Sequence, residues 1–292
     1  MKKLLVLLFS LLISFNSYGE TICIDKDTQI KNGTAYYPNK TSLYTGKDLC
    51  KYANGQIMNE GNFKDGLPYG NWIYWHQNGQ IMSEGNFKDG YPHGTHIQWY
   101  EIGQKEREGN YIRGKKNSKW TLWHENGQIS QQGNFKNGAE DGKWTVWYET
   151  GQIYTEGNWR RGKKDGRTTW WNESGQKSSE LTYKDDNEVS LIEYEYYENG
   201  QLKHKTHYKD GKQNGNSTIW HENGQKAMQG NAINGNQEGK WTYWHENGQK
   251  WAEGSYKDGK VDGKWTEWYE DGQIKSEAIS KNGECVSGDC PD

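Results

Sequence analysis

The dipeptide Gly-Gln returns about every two dozen residues. It begins at Gly55, Gly79, Gly103, Gly127, Gly151, Gly175, Gly200, Gly224, Gly248 and Gly272, at spacings of 24 residues except 25 between Gly175 and Gly200. A fixed period in the 20s marks a repeat array, in which each copy packs on its neighbours and no thick central core is needed. The copy from Gly239 to Asp262, GKWTYWHENGQKWAEGSYKDGKVD, is the clearest. Each copy reads as two short strands, K-W-T-x-W-H (Lys119 to His124) and Q-I-x-x-x-G-N-F-K (Gln128 to Lys136), and no window shows apolar residues at helical spacing. The expected fold class is all-β: tandem antiparallel hairpins in an elongated, twisted open sheet. About twenty strands would span roughly 95 Å before twist.

Asn126-Gly127 between strand-like residues predicts a two-residue type I′ turn. Counting outward from it places the first Trp of each copy opposite the Gly of E-G-N. The pairs are Trp72 with Gly85, Trp120 with Gly133, Trp144 with Gly157, Trp241 with Gly254, and Trp265 with Ala278. Where the partner is larger the Trp is absent: Thr168 faces Leu181 and Glu193 faces Thr206. His96 and Ser217 nonetheless face glycines, Gly109 and Gly230. The expectation is an indole lying across the bare backbone of its cross-strand glycine. Strand parity puts Trp120, Leu122, Ile129, Gly133 and Phe135 on one face and Trp123 on the other. The position of Trp123 holds Trp75, Trp99, Trp123, Trp147, Trp171, Trp220, Trp244 and Trp268, with Tyr196 in the copy that carries the extra residue. These eight indoles, repeating roughly every 10 Å, are the candidate binding stripe.

At N-F-K-D-G-x-x-x-G-x-W the copy resembles the MORN repeat, a β-hairpin module. With W-H-E-N-G-Q added it is most similar to the bacterial MORN-variant repeat of antitoxin-like, YwqK-type proteins. The resemblance covers Gly46 to Gly283. It implies tandem hairpins with a binding or scaffolding role, partners among proteins and lipid headgroups, and no catalytic residue to carry over. Asp186 in place of the usual Gly, and Ala232 and Ser280 in place of the aromatic, depart from the pattern and imply looser copies.

Residues 1–19 read as a signal peptide: Lys2 and Lys3, an apolar run from Leu4 to Ile13, then Ser17-Tyr18-Gly19 before cleavage at Glu20. The run is about half of the ~20 residues that span a bilayer. Export to the periplasm, the outer surface or the medium is expected, which fits a cytosolic antitoxin role poorly. Loss of Lys2 and Lys3 takes the formal charge from −3 to −5. Phosphate neutralisation needs a basic face, so nucleic acid is not an expected partner. The basic spots Arg160-Arg161-Gly162-Lys163-Lys164 and Lys115-Lys116 read as solvated turns. Hydrophobic content is 31% and mean hydropathy −1.21, values that suggest disorder until the 16 Trp and 20 Tyr are seen to be periodic.

Residues 20–45 are expected to cap the array, 46–283 to form it and 284–292 to close it, since an open edge invites further strand pairing. Tyr36-Tyr37-Pro38-Asn39 reads as a worn hairpin in the first cap. Cys23 and Cys50 lie at one end, Cys285 and Cys290 at the other. Four cysteines allow three pairings. An extended sheet keeps the ends far apart, so Cys23–Cys50 and Cys285–Cys290 are the disulfides expected, and a shared zinc site is not.

Signs of chemistry are weak. His76, His124, His221 and His245 share a position filled elsewhere by Tyr100, Tyr148, Tyr197 and Tyr269, which suggests an amphipathic surface side chain. Equivalents about 10 Å apart cannot share an ion. His204 and His207 fall on opposite faces of a strand. There is no nucleophile–base pair or phosphate loop, and neither catalysis, metal nor cofactor is expected. The segment Lys184-Asp185-Asp186-Asn187-Glu188-Val189 is expected to interrupt the twist. The reading favoured is an exported protein-binding scaffold. A glycan-binding module is the alternative, with Glu84, Gln132, Glu156 and Glu253 beside the stripe to orient hydroxyls.

Overall fold

The computed structural model describes residues 21–24 and 29–290. The expected leader lies outside the described residues. Every regular element described is a strand, and contacts divide the chain into two units, 1–115 and 116–292.

In the first unit the strands Gly46–Lys51, Ile57–Lys64, Leu67–Trp75, Ile81–Lys88, Tyr91–Trp99 and Lys105–Ile112 pair antiparallel in chain order. Thr21–Ile22 adds a short parallel strand to Gly46–Lys51, tied there by the Cys23–Cys50 disulfide. Ile30–Lys31 and Thr34–Ala35 form a small hairpin, and a Tyr36–Leu43 bridge closes the turn read at Tyr36 to Asn39. This segment brings Ala35 and Tyr44, both 0% exposed, onto Phe63 and Trp72 to make the core of the unit. Its rings meet edge to face: Tyr37–Tyr44 at 5.0 Å, Tyr44–Phe63 at 6.0 Å and Phe63–Trp72 at 5.0 Å between centroids.

In the second unit the hairpins run on from Lys115–Trp123 and Ile129–Lys136 to Lys260–Trp268 and Ile274–Lys281, each strand antiparallel to the next. Glu284–Gly288 ends it, folded back by the Cys285–Cys290 disulfide. The extra residue of the odd copy is absorbed in a ten-residue strand, Asn187–Tyr196, which pairs on both sides. The expected interruption is thus not one of strand pairing.

The two connections of each copy exchange the roles read from sequence. At His124-Glu125-Asn126-Gly127 the Gly127 amide donates to the His124 carbonyl at 2.9 Å, and His124 N–H donates to Gln128 O at 2.8 Å. Only Gly127 is left-handed, at φ +84°. This is a type I turn closed by a left-handed Gly, a three-residue loop. The two-residue type I′ turn lies at the other edge: Asp258 and Gly259, at φ +50° and +80°, join Lys257 to Lys260. Asp186, in place of Gly, takes the same turn at φ +71°, and its carboxylate accepts from Lys164 N–H at 2.7 Å.

All nine predicted cross-strand pairs are nevertheless present, Trp120↔Gly133 and Trp241↔Gly254 among them. Leu122 pairs with Gln131 but Trp123 pairs with Ile129, leaving Ser130 as a bulge. The bulge restores the one-residue offset that the three-residue loop introduces.

The rings lean the other way from expectation. A Cβ on Gly61, Gly133, Gly230 or Gly254 would fall inside the indole of Trp72, Trp144, Trp241 or Trp265 respectively, and one on Gly85 inside the His96 ring. Each ring therefore covers the glycine eleven residues before it, its partner on the preceding hairpin (Gly254↔Trp265, Gly85↔His96), and not the partner read across its own loop. The reach is set by hydrogen bonds: Trp72, Trp144 and Trp241 donate Nε1–H to the carbonyls of Asn62, Asn134 and Asn231 at 3.2, 3.3 and 3.0 Å. The His96 ring bonds Asn86 O at 2.8 Å. The two anomalies of the pairing rule then disappear. His96 is a ring over Gly85, and Ser217 is small because its floor is Thr206. Thr168 over Gly157 is the exception, with the Trp159 ring also closing on that glycine. Phe63, Phe87, Phe135 and Tyr256 fill the spaces between successive rings edge to face.

Candidate functional site

Each indole of the predicted stripe ends a strand. Trp75 and Trp99 belong to the first unit, and Trp123, Trp147, Trp171, Trp220, Trp244 and Trp268 to the second. All eight are half-buried. Two residues before each ring of the second unit stands a threonine on the same face: Thr121, Thr145, Thr169, Thr218, Thr242 and Thr266, all buried. Lys226 and Lys250 lie 5.8 Å from the ring centres of Trp244 and Trp268, within cation–π range.

The W-H-E-N-G-Q motif that follows each ring proves to be an inter-repeat clamp. His124 Nε2–H donates to the Trp147 carbonyl at 3.1 Å and His221 to the Trp244 carbonyl at 2.8 Å. Tyr148 and Tyr197 donate their hydroxyls to Trp171 O and Trp220 O, both at 2.8 Å. His and Tyr exchange because either puts a donor at that carbonyl. Asn126, Asn223 and Asn247 reach the carbonyls of Glu149, Glu246 and Glu270 at 2.9, 2.7 and 3.0 Å. In the copy before the odd one the clamp changes hands: Asn172 turns back to Gln176 Oε1 and Ser174 to Asn172 Oδ1, and Gln176 Nε2–H donates to Gly200 O at 2.8 Å instead. The exchange of His with Tyr was legible in sequence, but its cause was not, since the acceptor is a backbone carbonyl one copy away.

The carboxylates beside the stripe are mostly paired. Glu156 meets Lys143 at 2.7 Å; Glu253 meets Lys240 at 2.7 Å and Lys250 at 2.5 Å; Glu180 meets Lys177 at 2.6 Å. Burial raises the pKa of Glu253 and Glu180, but the cations outweigh it and both carboxyls lie below the usual carboxylate range. A folded value below the unfolded one stabilises above about pH 4.5 and is lost as pH falls through the folded value. Thermal melts should therefore show Glu253→Gln less stable than the parent at pH 7, with the gap narrowing steadily as pH falls below about 4.5. A gap that does not change with pH would mean the lysine pairs are not its source.

Of the basic spots, Arg160, Arg161, Lys163 and Lys115 are exposed, as solvated turns would be, while Lys164 and Lys116 lie over rings. Lys164 Nζ sits 4.8 Å from the Tyr183 ring centre, and Lys116 Nζ 4.5 Å from that of Trp120. Cys23, Asp48 and Cys50 bring possible ligand atoms within 4.8 Å of one another, but the two sulfurs are bonded to each other and do not form a metal centre. His204 faces Glu195 at 3.3 Å while His207 bonds Asn216 O, so the two work apart. Among the described residues no helix is long and apolar enough to cross a membrane.

Fold and face together define a repeat scaffold, a chain of hairpins clamped at both edges that presents one half-covered indole per copy. The chain belongs to the MORN repeat variant family, whose model matches residues 44–65, 68–89, 116–137, 140–160, 164–185, 191–210, 237–258 and 261–282. No curated protein matches the sequence. Among solved structures it is similar to the TcdB2–TccC3 crystal structure, at 11% identity and TM-score 0.20, covering 83% of this chain and 15% of that one. It is likewise similar to the Photorhabdus luminescens Tc holotoxin pore, at 12% identity and TM-score 0.20 over the same shares. The chain spans a small part of those proteins, and likeness at that level carries no functional argument.

Proposed function

We propose that this chain is an exported, non-catalytic scaffold whose indoles, Trp75 and Trp99 in the first unit and Trp123, Trp147, Trp171, Trp220, Trp244 and Trp268 in the second, bind a partner protein at the cell surface or in the periplasm. One observation carries the reading: in the second unit six threonines are buried while the six indoles on the same face keep part of each ring in solvent. Rings held half open on a rigid backbone bind at little entropic cost. The leader-like N-terminus and two disulfides support an oxidising compartment outside the cytosol. The W-H-E-N-G-Q signature supports a YwqK-type likeness of the repeat, while export argues against a cytosolic antitoxin role.

Trp123→Ala with Trp147→Ala tests this. Partner recovery from the extracellular fraction should fall at least tenfold, as for loss of a binding hot spot, with the melting temperature kept within a few degrees. A collapse of melting temperature with no selective loss of binding would make these rings structural.

A glycan ranks second. Rings flanked by fixed Lys–Glu pairs suit stacking on sugars, but pairing of Glu156 and Glu253 with lysines leaves fewer free acceptors than the sequence promised. Retention on insoluble peptidoglycan that the same double substitution abolishes would reverse the ranking. Lipid headgroups rank third, given the negative charge.

A further inference from the structure

We propose that Asn137, Asn234 and Asn282, each followed by glycine in a type I′ turn, are sites of spontaneous deamidation, and that the Asn-Gly steps of the opposite edge are protected from it. In this reaction the amide nitrogen of the glycine loses its proton to hydroxide and attacks the asparagine Cγ. A C–N bond forms, the side-chain nitrogen leaves as ammonia, and a five-membered succinimide results. Water opens that ring at either carbonyl to give Asp or isoAsp. Glycine favours the step because it has no Cβ to obstruct the attack.

The chain contains its own control, because Asn-Gly occurs in turns on both edges and is exposed on both. On the W-H-E-N-G-Q edge each asparagine is held at both ends. Asn126 donates to Glu149 O at 2.9 Å and accepts from Gln128 N–H at 2.9 Å. Asn223 is held by Glu246 O and Gln225 N–H at 2.7 and 2.9 Å. Asn247 is held by Glu270 O and Gln249 N–H at 3.0 and 2.9 Å. Cyclisation must break both bonds. On the type I′ edge the side chains of Asn137, Asn234 and Asn282 make no hydrogen bond among the described residues, and their φ values are +55°, +52° and +55°. The attacking amide is bonded on both edges, Gly127 N–H to His124 O at 2.9 Å and Gly138 N–H to Lys116 O at 2.8 Å. The side-chain anchors, together with the left-handed φ of the type I′ asparagines, are therefore what separates the two classes.

The Asp product fits. Asp65, Asp89, Asp210 and Asp258 occupy the same turn position at φ +50°, +52°, +51° and +50°. IsoAsp inserts a backbone atom and does not. Each conversion adds one negative charge to that edge.

The test is a peptide map of the whole chain, incubated folded at mildly alkaline pH, sampled over time and digested at low pH. Amide-to-acid conversion at Asn137, Asn234 and Asn282 should outrun that at Asn126, Asn223 and Asn247 by at least about tenfold, from two anchoring hydrogen bonds. The gap should close in guanidinium. Equal rates in the folded chain, faster reaction at the anchored sites, or silence at all six while the denatured chain reacts would each overturn the proposal.

Discussion

Gly230→Val is expected to cost about 3–5 kcal/mol, the range for losing a buried tryptophan from a core. The new side chain occupies the space of the Trp241 indole, which is 2% exposed. Expelling the ring also strands its N–H, which now donates to Asn231 O at 3.0 Å. Ala278 provides the contrast. Trp265, its partner across the Asp271-Gly272 loop, leans away onto Gly254 of the preceding hairpin, so Ala278→Val should cost no more than about 1 kcal/mol, the scale of an ordinary cross-strand change. Denaturant melts of both variants check this, read locally because a repeat array need not unfold in one step. Equal losses at the two positions would mean that rings rest on the partners across their own loops after all.

Removing the Cys23–Cys50 disulfide is expected to cost about 3–4 kcal/mol, and removing Cys285–Cys290 about 2, on chain entropy for sequence separations of 27 and 5. The first bridge also holds the short strand Thr21–Ile22 against the sheet edge. There Asp48, 2% exposed, accepts from Ile24 N–H at 2.8 Å and from the Asn59 side chain. Loss of the strand uncovers that carboxylate and removes one of its donors. Paired serine variants, melted under oxidising conditions, should rank in this order. Equal effects, or a larger loss at the C-terminal bridge, would contradict the assignment of the first bridge as the main staple.

How much was legible follows from which interactions stay within a copy. Strands, period and register come from local patterning, and all were readable. The register was right for an incomplete reason: the loop at Glu125-Asn126-Gly127 has one residue more than assumed, and the bulge at Ser130 compensates. Pairing alone could not reveal either. The direction of the rings could have been read. Spacing by eleven accounts for His96 and Ser217, which spacing by thirteen left over. Interactions with a neighbouring copy's backbone were invisible, because a carbonyl leaves no trace in sequence. This is why His124 and Tyr148 looked like surface residues until their acceptors appeared. Exposure of the eight indoles was equally out of reach, since it depends on how lysine and threonine side chains crowd one face.

Chemical shifts of glycine Hα protons in selectively labelled protein test the central arrangement most directly, because a ring lying flat on a glycine shields those protons. In the parent, Gly230 and Gly254 should both be shifted upfield. Trp241→Leu should return Gly230 to an ordinary shift and leave Gly254, which lies under Trp265, nearly unchanged. The reverse pattern, with Gly254 responding and Gly230 not, would contradict the placement of each ring on the hairpin before it.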